Sequence, residues 1–230
     1  MGSQEFRNAI ARHLEVRGAS SDVAEHIAMW LDDFLDFKVE ESPIGDFDAY
    51  ICFAFGNEPD EFANLHPGEL NEILARVVKE KYRHARKPII AQWEIGELLK
   101  DVPQIEPNDI ESHGQDFDKV LGKPVYQSTR SFLEKVAAKR REKPVKRLLV
   151  VAQWFHYARC VKEVERAGFE PVVDQDAMPK NFCTENFGQL WTSSEERFVL
   201  NTLIGSLNRY REEQNKKWQE QTHVGDGGAN

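Results

Sequence analysis

Cysteine is scarce in this sequence, and the three residues present form no pattern typical of metal binding or disulfide scaffolds. Cys52, Cys160 and Cys183 are an odd number in 230 residues, with no CxxC pair and no Cys/His zinc spacing. Cys52 and Cys160 lie inside apolar segments, which predicts reduced packing residues and a reducing compartment. No motif elsewhere in the sequence requires a metal either.

Long apolar runs and an excess of positive charge are missing as well. No run approaches the roughly 18 apolar residues of a membrane span, and the N-terminal MGSQEFRNAIARHLE has no signal-peptide apolar region. We therefore expect no membrane insertion and a cytoplasmic location. The net charge of −9 argues against nonspecific binding to nucleic acid or to an anionic membrane.

The glycine-rich phosphate loops of common nucleotide-binding folds are also absent. The sequence contains neither GxGxxG nor GxxxxGK followed by Ser or Thr. What is present is an ordinary globular composition, 40% hydrophobic and 30% charged, in a length that suits one α/β domain with appendages.

Short apolar runs alternate with helical patterns along most of the chain. The runs at 48–56, 87–93, 147–154 and 169–173 are apolar on both faces, as in a parallel sheet covered by helices. We predict an α/β fold: a Rossmann-like, doubly wound, mostly parallel sheet with helices on both faces and a helical N-terminal extension. Residues 101–127, rich in Pro, Asp and Gly, are predicted to form the longest irregular stretch.

Three regions follow from these patterns. Residues 1–42 form the helical N-terminal extension, residues 43–215 the α/β domain and residues 216–230 a disordered tail. The last helix of the α/β domain is predicted from about Ser194 to Gln214.

The tripeptide Ala-Gln-Trp occurs twice, each time directly after an apolar run. In a parallel sheet, ligands lie beyond the carboxyl ends of the strands, so Gln92, Trp93, Gln153 and Trp154 are candidates for one crevice. The glutamines would offer amide hydrogen bonds and the tryptophans flat apolar surface. Alternatively, the tryptophans plug the ends of the core.

The segment FHYAR, which follows the second Ala-Gln-Trp, carries a further candidate pair. His156 and Arg159 are three residues apart in the first turn of a helix, so we expect both to project from one face. A helix N-terminus beside an arginine favours an anion. Alternatively, Arg159 pairs with an acidic neighbour and His156 caps the helix.

Three other strand or helix ends offer polar groups. Gly56 and Asn57 follow the first strand and could approach a phosphate or carboxylate, or they form a plain turn. Ser128 and Thr129 begin a helix, where they bind an anion or act as an N-cap. Glu94 is a candidate acid or base, or an exposed first-turn residue that favours the helix dipole.

The segment LLVVAQWFHYAR, with its helix ending at Ala-Gly, resembles the YdcF-like family, which includes the SanA and ElyC envelope proteins. DAYICFAFGN, KPIIAQWEIG, QSTRSFLEKV and QLWTSSEERFVLNTLIGSLNRYREE fall in the family's order over residues 46–212. Where the family has a Ser-Gly-Gly turn, this chain has Gln92-Trp93-Glu94. Where the family usually has a Glu-Asn pair, this chain has Leu133-Glu134. The resemblance implies a Rossmann-like domain, S-adenosylmethionine as a candidate ligand, and an envelope sugar or lipid-carrier phosphate as a further candidate substrate.

We therefore predict binding of a nucleotide-like or other anionic small molecule at the strand ends, for a transferase or hydrolase reaction. Arg159 would hold the anion, and His156 would be a general acid, base or hydrogen-bond donor. The alternative is a non-catalytic ligand sensor or interaction module, in which the N-terminal aromatics Trp30, Phe34 and Phe37 either meet a partner or pack on the protein's own sheet.

Overall fold

The computed structural model describes residues 3–35, 39–42, 45–60, 65–114, 116–118, 123–125, 127–140, 145–183 and 188–223. The chain divides into two compact units, one of Met1–Phe37 with Glu196–Asn230 and one of Lys38–Glu195. The strands in chain order are β1 (Ala49–Cys52), β2 (Glu58–Pro59), β3 (Leu65–His66), β4 (Ile89–Gln92), β5 (Ile110–His113), β6 (Asp116–Asp118), β7 (Lys123–Val125), β8 (Arg147–Val151) and β9 (Glu170–Val172). The α-helices are α1 (Ser3–Val16), α2 (Ser21–Leu35), α3 (Glu69–His84), α4 (Trp93–Lys100), α5 (Thr129–Lys139), α6 (Trp154–Arg166) and α7 (Glu195–His223).

The unit of residues 38–195 is built on a five-stranded parallel sheet in the order β5-β4-β1-β8-β9. In the central strand, Ile51 pairs with Ile90 of β4 on one side and with Val150 of β8 on the other. Every residue of β1 and β4 is buried, which explains why their sequences are apolar on both faces.

Helices cover both faces of this sheet. The chain builds outward from β1 through β4 to β5, then returns to the other side of β1 through β8 and β9. Right-handed crossovers place α3 and α4 on one face and α5 and α6 on the other, and α3 contacts α4 as α5 contacts α6. The predicted doubly wound α/β fold is confirmed. Its order reverses between β1 and β8, the position where such sheets bind ligands.

The prediction of one irregular stretch over residues 101–127 is wrong. Within it, β5 pairs with β4 as an edge strand of the main sheet, and β6 and β7 form an antiparallel hairpin. The four residues of β5, Ile-Glu-Ser-His, are all half-buried, so no apolar run marks them. Gly96 lets α4 approach this edge, because a Cβ there would lie 2.3 Å from the Ser112 Oγ.

The other unit consists of helices. α1 packs on α2, and α2 meets α7 where the His26 Nε2 lies 3.1 Å from the Ser206 Oγ and the His26 and Tyr210 rings are 4.5 Å apart. α7 continues to His223, past the predicted end near Gln214, because its Glu, Gln and Lys residues are good helix formers. The predicted tail is therefore helical over 216–223, and residues 224–230 lie outside the described residues. No helix in the described part of the chain has the length and apolar character of a membrane span.

Candidate functional site

A cavity of about 290 Å³ lies at the carboxyl ends of the central strands. Seven of the site residues predicted from the sequence line it: Gly56, Asn57, Gln92, Trp93, Glu94, Thr129 and His156. These residues follow β1, end β4 or lie in the first turns of α4, α5 and α6. The sheet therefore brings together side chains that lie up to 100 positions apart in the sequence, at the place where its strand order reverses.

Six further residues complete the lining, and sequence reasoning did not name them as site residues: Ala54, Leu65, Gln127, Gly188, Gln189 and Trp191. Gln127 directly precedes the predicted Ser128-Thr129 pair, so the start of α5 could have suggested it. The last three come from the segment after β9, which carries no motif. Only the return of that segment over the strand ends places it at the site.

Four predicted site residues do not line the cavity: Ser128, Gln153, Trp154 and Arg159. Ser128 is an N-cap, since its Oγ accepts a hydrogen bond from the Ser131 N–H at 3.1 Å. Trp154 is half-buried, and the Lys180 Nζ lies 4.7 Å from its ring centroid. Arg159 is half-buried on α6 and does not line the cavity.

The two glutamines of the repeated tripeptide hold loops in place. The Gln92 Oε1 accepts from the Ala54 N–H at 2.9 Å, and its Nε2 donates to the Gln127 carbonyl at 3.1 Å. Gln92 therefore joins the end of β1 to the start of α5. Both ends of its amide are engaged within the protein, although the side chain borders the cavity.

Gln153 likewise holds a loop in place, and it caps the N-terminus of α6. Its Oε1 accepts from the Phe155 N–H at 2.8 Å and the His156 N–H at 3.1 Å, and its Nε2 donates to the Asn181 carbonyl at 3.0 Å. The Trp154 N–H donates to the Pro179 carbonyl at 2.8 Å. The first three N–H groups of α6 are thus satisfied within the protein and are not offered to an anion.

A glycine turn after β1 shapes the cavity wall. Gly56 has a φ of 81°, and a Cβ there would lie 2.8 Å from the Thr192 Oγ1. Asn71 secures the turn, because its Oδ1 accepts from the Phe55 N–H at 2.9 Å and its Nδ2 donates to the Gly56 carbonyl at 2.8 Å. Position 56 therefore needs glycine both for its left-handed backbone and for the close approach of Thr192.

Glu94 is a buried carboxyl in the cavity wall, with only 7% of its surface exposed. Burial raises its pKa to about 7, against hydrogen bonds from its own N–H and from the Asn57 and Trp93 side chains, which lower it. The Oε2 atom has no hydrogen-bond partner within the described structure. The alternative of an exposed first-turn glutamate is therefore excluded, and the carboxyl can gain or lose a proton near neutral pH.

His156 is also buried, with 2% of its surface exposed. Its Nε2 lies 3.3 Å from the Thr129 Oγ1, which links the first turns of α5 and α6. Burial, and to a lesser extent the nearby Arg159 charge, lowers the pKa of His156 to about 3. The imidazole is therefore neutral at physiological pH and acts there as a hydrogen-bonding group.

Charge in the cavity is limited to these two titratable residues. None of the described residues that line it is a lysine or an arginine. In the described part of the chain, no three His, Cys, Asp or Glu side chains are grouped as metal ligands would be. The three cysteines are buried and form no disulfide with one another.

Comparison of the chain with protein-family models, with curated proteins and with solved structures gave no match in any of the three. The resemblance to the YdcF-like family therefore stays a prediction.

Proposed function

We propose that this protein binds a small polar molecule in the cavity at the strand ends and transfers a proton to or from it through Glu94. The observation that carries the proposal is the Glu94 carboxyl, which is buried in the cavity wall with one oxygen unpartnered. Burying such a group without a partner costs free energy, and a ligand that hydrogen-bonds to it would offset that cost.

The size and lining of the cavity indicate what kind of molecule fits. Its 290 Å³ equals the volume of about ten water molecules, which suits a monosaccharide or a nucleobase with part of its ribose. Trp93 and Trp191 offer flat surfaces for a ring. S-adenosylmethionine, which the family resemblance implies, would place only part of its length inside.

The chemistry available at the site centres on Glu94. Because its pKa is raised to about 7, the carboxyl can act as general base or general acid at neutral pH. Thr129 is hydrogen-bonded to the neutral His156 and can orient a ligand hydroxyl. A transferase or a hydrolase reaction is compatible with these groups.

A thermal-shift screen tests the proposal. The panel holds S-adenosylmethionine, S-adenosylhomocysteine, nucleosides, nucleotides, monosaccharides, nucleotide sugars and inorganic phosphate, with wild type, Glu94→Gln and Glu97→Gln. Glu97 lies on the same helix but is exposed and paired with Lys100, so it is the matched control. At 100 times its dissociation constant a ligand stabilises by about 2.7 kcal/mol, a rise of about 5–10 °C for a chain of this size.

The expected result is a ligand that stabilises wild type and Glu97→Gln and stabilises Glu94→Gln much less. A ligand that shifts all three proteins equally would place the binding site elsewhere. No shift across the panel would count against a small-molecule function.

A non-catalytic ligand sensor is the second candidate, and one observation favours it. A threonine beside a histidine is the arrangement of an activated nucleophile, yet an imidazole with a pKa near 3 is a poor base. Incubating a stabilising ligand with the protein and following the ligand by ¹H NMR separates the two. Turnover that disappears in Glu94→Gln and persists in Glu97→Gln indicates an enzyme, and an unchanged ligand indicates a sensor.

The interaction-module form of this alternative stays a prediction. It depends on the aromatic residues Trp30 and Phe34, which lie on α2, and on Phe37, which lies outside the described residues.

A further inference from the structure

The buried side-chain oxygens that lack a hydrogen-bond partner in the described structure all belong to residues that line the cavity. Three of the lining residues carry a buried side-chain oxygen with no partner in the described structure: Glu94 Oε2, Gln127 Oε1 and Gln189 Oε1. All three atoms are acceptors. A ligand that satisfies them must therefore present hydrogen-bond donors.

The orientation of Gln127 supports this assignment. The residue is 5% exposed, and its Nε2 lies 3.5 Å from the Gly114 carbonyl oxygen. A carbonyl accepts only from a donor, so the amide nitrogen points to Gly114 and the oxygen is left for the cavity. The Gln127 backbone carbonyl is in turn held by the Gln92 side chain, which keeps α5 and its preceding residue in register with β4.

The charge of the cavity wall also favours a ligand that donates hydrogen bonds. Glu94 is the only described lining residue that can carry a charge near neutral pH, since His156 is neutral there and no lysine or arginine borders the cavity. The α6 N-terminus, which the sequence suggested as an anion site together with Arg159, is closed by Gln153 and Pro179. Two tryptophans, Trp93 and Trp191, complete the wall with rings that attract cations.

We propose that the cavity selects a ring-bearing ligand with a cationic nitrogen donor, an ammonium or amidinium group, which hydrogen-bonds to the oxygens of Glu94, Gln127 and Gln189. The inference rests on the proposed function and names its ligand class. It is opposite in sign to the anionic ligand expected from the sequence, because Arg159, which carried that expectation, does not line the cavity.

Binding of a cation is coupled to the protonation of Glu94. The free carboxyl has its pKa near 7 because of burial and hydrogen bonds, with no charged neighbour among the causes. The cation binds the carboxylate form, so its affinity rises with pH until Glu94 is fully ionised. His156, the other titratable lining residue, is neutral over this pH range, so it does not contribute to the pH dependence of the ligand affinity.

Three near-isosteric probes test the inference: benzamidine, a cation; benzamide, its neutral analogue; and benzoate, an anion. Molecules of this size are expected to bind with dissociation constants on the order of 1 mM. Binding is followed by ¹H–¹⁵N NMR on the full chain, using the indole N–H signals of Trp93 and Trp191 as reporters of the cavity. The measurements use wild type, Glu94→Gln and Glu97→Gln.

We expect benzamidine to bind more tightly than benzamide and benzoate to bind least. The benzamidine affinity should rise about tenfold between about pH 6 and pH 8, as the carboxylate fraction of a group with a pKa near 7 rises from about 0.1 to 0.9. The preference for benzamidine should disappear in Glu94→Gln and persist in Glu97→Gln. If Glu94→Gln does not fold, the order of the three affinities in wild type and the pH dependence of benzamidine binding to wild type still test the inference.

The inference is overturned if benzoate binds as tightly as benzamidine, if the benzamidine affinity does not change with pH, or if Glu94→Gln leaves it unchanged. It is equally overturned if none of the probes shifts the two indole signals at about 10 mM. Each of these results leaves the proposed function standing when the thermal-shift screen has found a ligand that depends on Glu94. A screen with no hit refutes the proposed function instead.

Discussion

Glu94→Gln should change how the stability of the protein depends on pH. The folded-state pKa of this carboxyl is about 7, above its ordinary value of 4.5, so the folded chain holds the proton more tightly than the unfolded chain. The stability that this proton contributes is fully present below pH 4.5 and is lost as the pH rises through 7. Glutamine does not titrate, so the variant should lack this contribution to the slope.

The size of the effect follows from the two pKa values. Between about pH 5 and pH 8, the Glu94 carboxyl should lower the free energy of unfolding of wild type by about 2.5 kcal/mol. The amide keeps the shape of the carboxyl, so Glu94→Gln should be close to wild type at pH 5 and more stable than wild type at pH 8. All other titrating groups are common to both proteins and cancel in the difference.

Urea denaturation at several pH values between about 5 and 8 measures this difference, with tryptophan fluorescence and far-UV circular dichroism as probes. Coincident transitions show that a single free energy of unfolding applies. Glu97→Gln is the control, because its exposed side chain should leave the wild-type slope intact. If Glu94→Gln has the same slope as wild type, Glu94 is not the buried, proton-holding carboxyl described here, and the proposed proton transfer loses its basis.

Three further predictions concern the structure around the site. Gly56→Ala should destabilise the protein by about 1–3 kcal/mol more than Gly168→Ala in urea denaturation. Both glycines have a positive φ, but only a Cβ at position 56 would meet the Thr192 side chain. Equal losses of stability in the two variants would contradict the close approach of Thr192 to Gly56. Gln153→Ala should lower the free energy of unfolding by about 1–2 kcal/mol, because it removes the side-chain acceptor of the Phe155 and His156 N–H groups and the donor to the Asn181 carbonyl; a loss under about 0.5 kcal/mol would mean that water replaces the cap. The ¹⁵N signals of His156 should stay those of a neutral ring down to about pH 4, since its pKa is about 3; titration near 6.5 would show a solvated imidazole.

Much of the fold was predictable because its signals are local. The apolar runs of β1, β4 and β8 are buried on both faces, and their alternation with helical patterns predicted the doubly wound sheet. The β5 strand was not predictable in this way. It lies at the sheet edge with half-buried polar residues, so its pairing with β4 leaves no apolar run in the sequence.

The sequence predicted the location of the candidate site more accurately than the residues that form it. His156 and Arg159 were expected to act together, yet only His156 lines the cavity. Residues three apart on a helix differ by about 60° in direction and 4.5 Å in height, and the packing of α6 on the sheet decides which one meets the cavity. Glu94 could not be assigned as exposed or buried from its place in a first turn.

The sequence by itself determined the buried strands β1, β4 and β8, the helices that follow them and the strand ends at which a ligand could bind, because these depend on residue patterns a few positions long. Only the tertiary structure decided which polar groups are satisfied within the protein and which are left for a ligand. Gln92 and Gln153 were expected to meet a ligand, but backbone groups of the protein, most of them from other segments for Gln92 and from both α6 and Asn181 for Gln153, occupy their amides. The segment after β9, which has no motif, instead supplies Gln189 and Trp191 to the cavity. Burial and hydrogen-bond partners depend on residues far apart in the chain, and burial is what raises the pKa of Glu94 and lowers that of His156.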